Sequence, residues 1–458
     1  MSENIEYIGY WYLPDKKQDE LYGKLTINNN KIDLEVYGGL FDGVKDSINM
    51  KEIEVINGFT ICGKSITLLN NISLGFKMNM PGTMINKYRS KFMIIGNEYT
   101  SIDECILSSI SCSYTNLSEW IGISGFNLEY EKNNICINYS CPDEIAYELD
   151  HYTLKINYRL KKTGSLLDEI NMKQYINIVF EGLLDYNLDS ALKIIYDFSR
   201  FLTLCIGQKI SPYNIKAKDK NGKDVEIKIN GVEEISDKKI NNNEMLIPFN
   251  FIKDNFKDCL TNWNDKKEKL SPVIDYVVDS HSKVFHIPLS FIKLVQATET
   301  FSRRMRNNCK IDEDEHNSKI EYIISKIDND EYKEWLIDRL RYSNEPSLSM
   351  RLKEIFKEVD FIISLNSGER KKIVKKIVDT RNYYTHFDES KKDLIMTTEE
   401  LIYISKYILV ILKVLIMKEL GLDEASIEGQ LKGLNEIIFI KAQLKKLFNI
   451  ISVGRLAL

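Results

Sequence analysis

The sequence predicts an α+β protein of several domains, because strand-like and helix-like patterns occupy different parts of its 458 residues. The first 165 residues carry short runs of alternating apolar and polar side chains, with Gly and Asn between the runs. From Pro288 onward, nearly every segment has the apolar period of a helix. These patterns predict a mostly antiparallel β domain over 1–165, a mixed segment over 166–285 and an all-α helical bundle with a helical extension over 286–458.

Short strands are predicted throughout the N-terminal domain. The first two, 25–27 and 32–36, flank a polar turn made of three asparagines. Similar runs follow at 54–56, 59–62, 65–69, 92–95, 134–139 and 152–158. Strands at this spacing favour an antiparallel sandwich or a barrel-like domain.

The middle segment mixes both patterns. Apolar periodicity predicts helices over 172–180 and 188–206. A hairpin is predicted next, because two alternating runs flank Asn221-Gly222, a dipeptide typical of type I′ turns.

The C-terminal domain reads as a succession of helices, predicted at 289–307, 318–327, 332–341, 350–363, 369–384, 398–420 and 434–447. The acidic stretch 311–316 separates the first two and is predicted to be a solvated connection.

Charge and cysteine content exclude several classes of protein. Lys and Arg number 62 against 67 Asp and Glu, so any nucleic-acid binding must come from a local basic patch. The eight cysteines form no Cys-x-x-Cys pair, which predicts reduced, buried thiols and no metal or other cofactor.

The N-terminal residues have neither the basic region nor the apolar region of a signal peptide. The most apolar stretch, 401–420, is interrupted by Lys406 and Lys413 and is therefore too short to span a membrane. These features predict a cytoplasmic protein.

Residues 58–65 fit the letters of a phosphate-binding P-loop, with Gly58, Gly63, Lys64 and Ser65 in the required places. That loop must open directly into a helix whose N-terminus faces the anion. Here β-prone residues lie on both sides, so the sequence predicts a strand, a turn at Gly63 and another strand rather than a nucleotide site.

His386 differs from the other four histidines, at 151, 281, 286 and 316, which are expected to be solvated or packed. Residues 381–386 read Arg-Asn-Tyr-Tyr-Thr-His and end a predicted helix. The same helix carries a basic stripe formed by Lys371, Lys372, Lys375 and Lys376.

The spacing within this motif constrains its use. Asn382 and His386 are four residues apart and share one helix face. Arg381 and His386 lie about 140° apart around an ideal helix and about 7.5 Å apart along it. One copy therefore does not easily direct both side chains to one small target. Two copies related by a two-fold axis could enclose a phosphate between them; a helix break near Thr385 would also reconcile the spacing.

These residue types suit cleavage of RNA without a metal. Histidine exchanges protons at neutral pH, and arginine binds a phosphate and stabilises charge that builds on it. The RNA's own 2′-hydroxyl would attack, leaving a 2′,3′-cyclic phosphate and a 5′-hydroxyl. Tyr383 and Tyr384 are suited to stacking on unpaired bases. On residue types alone a structural role stays open, because basic helix faces usually serve packing and solubility.

The motif Arg381-Asn382-x-x-x-His386 resembles the Arg-x(4–6)-His signature of the HEPN superfamily, in which a polar residue follows the arginine. Residues 291–301 resemble the first HEPN helix, and the apolar helix at 401–420 follows the motif. Nearly the whole chain resembles the ApeA family of bacterial anti-phage defence proteins, whose N-terminal pattern is matched at 9–14, 22–25 and 32–38.

This resemblance implies a metal-independent endoribonuclease that halts translation during abortive infection, with tRNA as its substrate. It implies that Arg381 and His386 are catalytic and that Asn382 assists them. Glu299 is a candidate supporting acid, although an ion pair with Arg303 one turn later explains it equally well. The implied partners are RNA, further copies in a homodimer or higher oligomer, and a phage protein sensed by the N-terminal domain.

Two other functions remain open. One is a non-catalytic HEPN module that binds RNA or dimerises; the intact arginine, polar residue and histidine favour the enzyme over it. The other is the toxin of a toxin–antitoxin pair. The large N-terminal domain argues against a toxin, since such toxins usually consist of the HEPN core.

Overall fold

The structure, a computed structural model, describes residues 4–40, 52–78, 81–132, 134–165, 167–231, 239–280, 286–387 and 389–448. The chain forms two compact units. The first comprises Met1–Leu202 and Ile210–Asn242, and the second comprises Thr203–Lys209 and Asn243–Leu458. The predicted division at 165 and 285 into three domains stays a prediction.

The N-terminal unit begins with a closed antiparallel barrel, as the strand pattern predicted. Hydrogen bonds join its strands in the cyclic order β1-β2-β3-β6-β5-β4 and back to β1. A closed barrel leaves no strand edge unpaired, and its interior is filled by apolar side chains. The six strands are β1 (Ile5–Tyr12), β2 (Leu21–Asn28), β3 (Lys31–Tyr37), β4 (Glu52–Thr60), β5 (Ser65–Met78) and β6 (Met84–Ile95).

Trp11 fills the barrel next to two glycines. Its indole is fully buried, and a Cβ at Gly58 would lie 2.3 Å from its Cε3 atom. A Cβ at Gly23 would lie 2.7 Å from its Cδ1 atom. Both distances are shorter than the approach of non-bonded carbon atoms in proteins, so these glycines provide the space that the indole occupies.

The rejection of the P-loop is confirmed. Gly58 lies inside β4, and Ser65 begins β5, which pairs with β4. Gly63 occupies the turn with a φ of 79°, and the Thr60 backbone N–H donates to the Lys64 carbonyl. The segment is a β-hairpin with no helix N-terminus for a phosphate.

A second group of strands extends from the barrel. β6 pairs with β3 through 85–89 and with β14 through 92–95, so the order continues β6-β14-β13-β7-β12-β11-β10. β8 and β9 form a separate two-stranded ribbon. These strands are β7 (Ile106–Tyr114), β8 (Phe126–Glu131), β9 (Asn134–Tyr139), β10 (Ile145–Glu148), β11 (Thr153–Ser165), β12 (Glu169–Asn187), β13 (Pro212–Asp219) and β14 (Asp224–Ile229).

Two predictions for the middle segment are wrong. Residues 172–180 lie in strand β12, because Ile176, Ile178 and Phe180 are buried at alternate positions on one face. The β13–β14 hairpin forms as predicted, but its turn is not type I′, since Gly222 has a positive φ and Asn221 does not. The Asp219 carboxylate organises this loop by accepting from the backbone N–H groups of residues 221 and 223, at 2.8 Å each.

Helices form most of the second unit, as predicted, whereas the helix at Leu117–Ile121 and most of the helix at Leu188–Ile206 lie in the first unit. The described residues contain α1 (Leu117–Ile121), α2 (Leu188–Ile206), α3 (Phe249–Ile252), α4 (Phe256–Asp279), α5 (Ile287–Met305), α6 (Glu313–Ile324), α7 (Asp330–Leu340), α8 (Leu348–Glu358), α9 (Ser367–His386), α10 (Thr398–Glu419), α11 (Glu424–Lys432) and α12 (Asn435–Leu447). Within the described ranges, no helix has both the length and the apolarity that a membrane span requires.

The prediction that 311–316 is a solvated connection is wrong for most of its length. Asp312 is the N-cap of α6, and its carboxylate accepts from the backbone N–H of Asp314 at 2.9 Å. Three further carboxylates occupy the first turn, where the positive end of the helix dipole favours them. The acidic residues therefore begin the helix rather than interrupt it.

One ion network joins the ends of several helices of the second unit. Arg306, just after α5, donates twice to Glu358 at the end of α8, at 2.7 and 3.0 Å. It also donates to Glu419 at the end of α10, at 2.8 Å. Lys266 of α4 binds Glu419 at 3.0 Å, and Lys418 lies 3.3 Å from Glu358. The Arg306 guanidinium, with Lys266 and Lys418, thus links four helices.

Burial raises the pKa of Glu358, but the hydrogen bonds and charge of Arg306, together with Lys418, outweigh burial and hold that pKa below its ordinary value. A depressed carboxyl pKa stabilises the folded state above the pKa of the unfolded chain. That contribution is lost as the pH falls through the lower pKa of the folded state.

We expect Arg306→Ala to lower the free energy of unfolding at neutral pH by about 1–3 kcal/mol, because two partly buried carboxylates lose a charged donor. Below about pH 4.5 the difference from wild type should shrink, since Glu358 is then protonated in the unfolded chain and progressively in the folded one. Urea unfolding followed by helical circular dichroism, from neutral pH downward, measures both effects.

Arg304→Ala is the matched control, because this neighbouring arginine is exposed and donates to the Lys269 carbonyl. An equal loss in the control, or a difference that persists unchanged at low pH, would contradict the role assigned to Arg306.

Candidate functional site: the motif helix of the helical bundle

Helix α9 carries the predicted motif and is well defined at its start. Asn366 is its N-cap, and a reciprocal pair of hydrogen bonds with Glu369 forms a capping box. The face that points into the bundle is apolar except for one hydroxyl, and its buried residues are Ile373, Val374, Ile377 and Thr380.

Two polar contacts fix the rotation of α9 against the chain that leads into α10. The Thr380 hydroxyl, fully buried, accepts from the Met396 backbone N–H at 3.0 Å. Lys376 forms an ion pair with Glu400 in the first turn of α10. Burial raises the pKa of Glu400, but Lys376 and the Thr397 N–H outweigh burial and keep that pKa below its ordinary value. Glu400 therefore stays ionised and maintains its ion pair with Lys376 of α9.

Arg381 and His386 lie on one unbroken helix. The helix ends at His386, and the Thr385 hydroxyl donates to the Arg381 carbonyl at 2.7 Å, as it does inside a regular helix. The helix break near Thr385 that would have brought the two side chains together is absent. The five-residue spacing on a helix therefore applies to this chain as it stands.

Asn382 contacts the arginine directly. The Arg381 Nη1 atom donates to the Asn382 side-chain oxygen at 3.1 Å, and both side chains are half-buried. Asn382 therefore helps to orient the guanidinium, while the His386 side chain is exposed at the helix end.

An aromatic cluster surrounds the end of α9. The rings of Tyr383 and Tyr384 meet edge to face, with centroids 5.3 Å apart. Phe387 follows His386 in a left-handed conformation with a φ of 51°, and its ring lies 6.1 Å from that of Tyr383. Phe387 remains 69% exposed. Sequence reasoning missed this residue; the exposed ring next to the histidine is a further candidate for stacking on a base.

The predicted basic stripe divides into two pairs. Lys376 binds Glu400, and Lys372 donates to the backbone carbonyl of Phe448 at 3.3 Å. Lys371 and Lys375 are exposed and form no ion pair within the described residues. Two of the four lysines thus make contacts within the bundle, while Lys371, Lys372 and Lys375 are all exposed.

Glu299 forms the ion pair with Arg303 that the sequence offered as its alternative role, at 3.2 Å. Arg303 also binds Glu345, so both carboxylates share one cation. The hydrogen bonds of Glu299 go to Arg303, and its part in a reaction stays a prediction.

The other histidines have structural or solvent-exposed positions where they are described. His286 is the N-cap of α5, its Nδ1 accepting from the Leu289 N–H at 3.2 Å. His316 lies 2.8 Å from the Ser343 hydroxyl, and His151 is exposed. His281 lies outside the described residues.

All eight cysteines are free, and the expectation that they are all buried is wrong. Cys62, Cys136 and Cys141 are exposed, and Cys309 is partly exposed. Burial raises the pKa of Cys112 to about 12, so its thiol stays protonated. Among the described residues, no three His, Cys, Asp or Glu side chains gather as metal ligands.

Two known protein families match different parts of the chain. Residues 292–426 match the family Apea-like HEPN, so the helical bundle that carries Arg381 and His386 is an HEPN domain. Residues 6–263 match the family ApeA N-terminal domain 1, and since this match spans more than half of the chain, the protein belongs to the ApeA family. Neither a curated protein nor a solved structure matches the chain significantly.

The predicted relationship is therefore confirmed, with an ApeA N-terminal domain followed by an HEPN domain. HEPN domains commonly dimerise and act on RNA, and an ApeA-type HEPN domain indicates a ribonuclease or nucleotide-binding function in anti-phage defence.

We expect Phe387→Asn to weaken binding of single-stranded RNA by about 1–3 kcal/mol, because it removes a stacking surface while Asn tolerates the left-handed backbone. Fluorescence anisotropy with a labelled oligonucleotide measures the affinity, in a His386→Ala background that is expected to be inactive in cleavage. Phe387→Tyr is the control, since it keeps the ring. Equal affinity for the Asn and Tyr variants would exclude base stacking at this position.

Proposed function

We propose that the HEPN domain is a metal-independent endoribonuclease of anti-phage defence whose active site forms between two copies of α9. The observation that carries this proposal is the unbroken helix from Arg381 to His386, which gives one copy both required side chains but on different sides. The aromatic cluster at the helix end supplies surfaces on which unpaired bases stack.

The proposed reaction needs only the groups at this site. The RNA 2′-oxygen attacks the adjacent phosphorus as its proton passes to a histidine, and the bond from phosphorus to the 5′-oxygen breaks. The leaving oxygen takes a proton, giving a 2′,3′-cyclic phosphate and a 5′-hydroxyl, with no water, metal or oxidant consumed. In each shared site one His386 serves in turn, taking the proton of the 2′-hydroxyl as the base and giving a proton to the leaving 5′-oxygen as the acid.

Arg381 has a separate task in this mechanism. Its guanidinium binds the non-bridging oxygens and stabilises the charge that grows on them as the phosphorus gains a fifth bond. Asn382, which accepts from the Arg381 Nη1, acts as a positioning residue. Glu299 would act indirectly, since its hydrogen bonds go to Arg303.

The substrate we propose is an RNA with unpaired bases, tRNA loops being the class that the family resemblance favours. Cutting such RNA halts translation and so fits abortive infection in the cytoplasm. A nuclease of this kind must be silent until infection, and we propose that the N-terminal unit responds to a phage protein.

We expect Arg381→Ala and His386→Ala each to abolish cleavage, because one removes the phosphate contact and the other removes proton transfer. Mixing the two inactive variants should restore about a quarter of wild-type activity. About half of the dimers are then mixed, and one of their two symmetric sites keeps both residues. Cleavage of a labelled RNA, with assignment of 5′-hydroxyl ends, measures the recovery.

A mixture of His386→Ala with Arg381→Ala/His386→Ala serves as the control, because no pairing of these chains contains an intact site. Recovery in that control, or none in the test mixture although mixed dimers form, would exclude the shared site. Cleavage that persists in both single variants would remove these residues from the mechanism.

We expect cleavage to continue in excess EDTA, because the proposed reaction uses only protein side chains and the RNA hydroxyl. The measurement is the initial rate before and after chelation and dialysis. Loss of activity that magnesium restores would contradict the metal-independent mechanism.

A further inference from the structure

A helical arm projects from the HEPN domain between α5 and α8. We define the arm as residues 312–342, which contain α6 and α7. Every residue from 312 to 345 keeps part of its surface exposed, so the arm has no core of its own. Helices of this length are marginal in isolation, so a further contact would stabilise the arm. Its four aromatic side chains are 60–66% exposed, and they are Tyr322, Tyr332, Trp335 and Tyr342.

Hydrogen bonds join the two chain segments at the root of the arm, although the arm itself is exposed. Asn344 closes the root by accepting from the Lys310 and Ile311 N–H groups and by donating to the Ile311 carbonyl at 3.0 Å. The fully buried Arg351 side chain binds Asn308 on the entering chain and donates to the carbonyl of Pro346 on the leaving chain, at 3.0 Å. The arm is thus held in a fixed direction by polar contacts at its base.

The arm is strongly acidic. Its 31 residues contain ten carboxylates and five cations, a net charge of −5 that equals that of the entire chain. Within the described residues, the carboxylates of the arm make one ion pair, between Asp330 and Lys333 at 3.1 Å. The arm therefore repels RNA and attracts a basic surface.

A basic surface of this kind lies on the same domain. We define the basic face as the exposed lysines of α9 together with those in the last turn of α12. That turn adjoins α9, because Phe448 accepts from Lys372 and lies under the Lys376 ammonium at 5.6 Å from the ring centroid. Helix α9 carries six cations and two carboxylates, a net charge of +4. The members of the basic face are Lys371, Lys372, Lys375, Lys445 and Lys446.

We infer that the helical arm of one copy docks on the basic face of a second copy. This inference rests on the proposed function, because it supplies contacts that hold together the two copies that share a site. Exposed ion pairs contribute little one by one, so the aromatic side chains of the arm serve as anchors and the charges select the partner surface.

The test is a charge swap measured by sedimentation without RNA. Glu331→Lys/Glu334→Lys on the arm, or Lys371→Glu/Lys375→Glu on the basic face, should each raise the dimer dissociation constant about tenfold or more. The chain with all four changes should return to within about threefold of wild type, because opposite charges then face each other again. Circular dichroism verifies that each variant is folded.

Lys293→Glu/Lys357→Glu is the matched control, because it changes the net charge by the same amount as the basic-face variant. Both lysines are exposed on helices outside the arm and the basic face. An unaltered dissociation constant in both test variants, a four-change chain weaker than either, or a strictly monomeric wild type would overturn the inference. Restoration by the swap without any ribonuclease activity would leave the docking intact and refute the proposed function. Cleavage by dimers whose dissociation constants do not respond to the charge changes would refute the docking and leave the proposed function intact.

Discussion

The period of a single α-helix is the constraint on which the candidate site depends. Because α9 continues without a break to its last residue, the Cα–Cβ directions of Arg381 and His386 leave the helix about 140° apart. The Arg381 guanidinium turns toward Asn382, which shares a helix face with His386. In the proposed shared site each group comes from a different copy, so assembly would precede the reaction.

Contacts within the bundle fix which side of α9 faces the core and which side faces solvent. Thr380 and Lys376 fix the rotation of the helix, so its apolar face is committed to the core and its motif face to the outside. The network centred on Arg306 then joins the helix ends that surround this core. Cations concentrate on α9, while carboxylates concentrate on the arm, so these two surfaces carry opposite net charge.

The sequence predicted most of the helices and the barrel, because long periodic segments reveal which face they bury. It failed where one run of residues fits two periods: the apolar positions over 172–180 suit a helix or a buried strand, and this run pairs with β11 along its whole length. Helix α4 was not predicted, since it contains Pro272 and many polar residues and is held by packing. Arg381 and His386 were identifiable from spacing, whereas Phe387 was not, because its left-handed backbone is a property of the folded chain.

The sharing of β6 gives the N-terminal unit a particular mechanical character. Along 85–89 and again along 92–95, this strand is hydrogen-bonded on both edges, first between β3 and β5 and then between β14 and β5. The strand is therefore common to the barrel and the extended sheet. A displacement of the extended sheet away from the barrel would have to break ladder hydrogen bonds of this one strand.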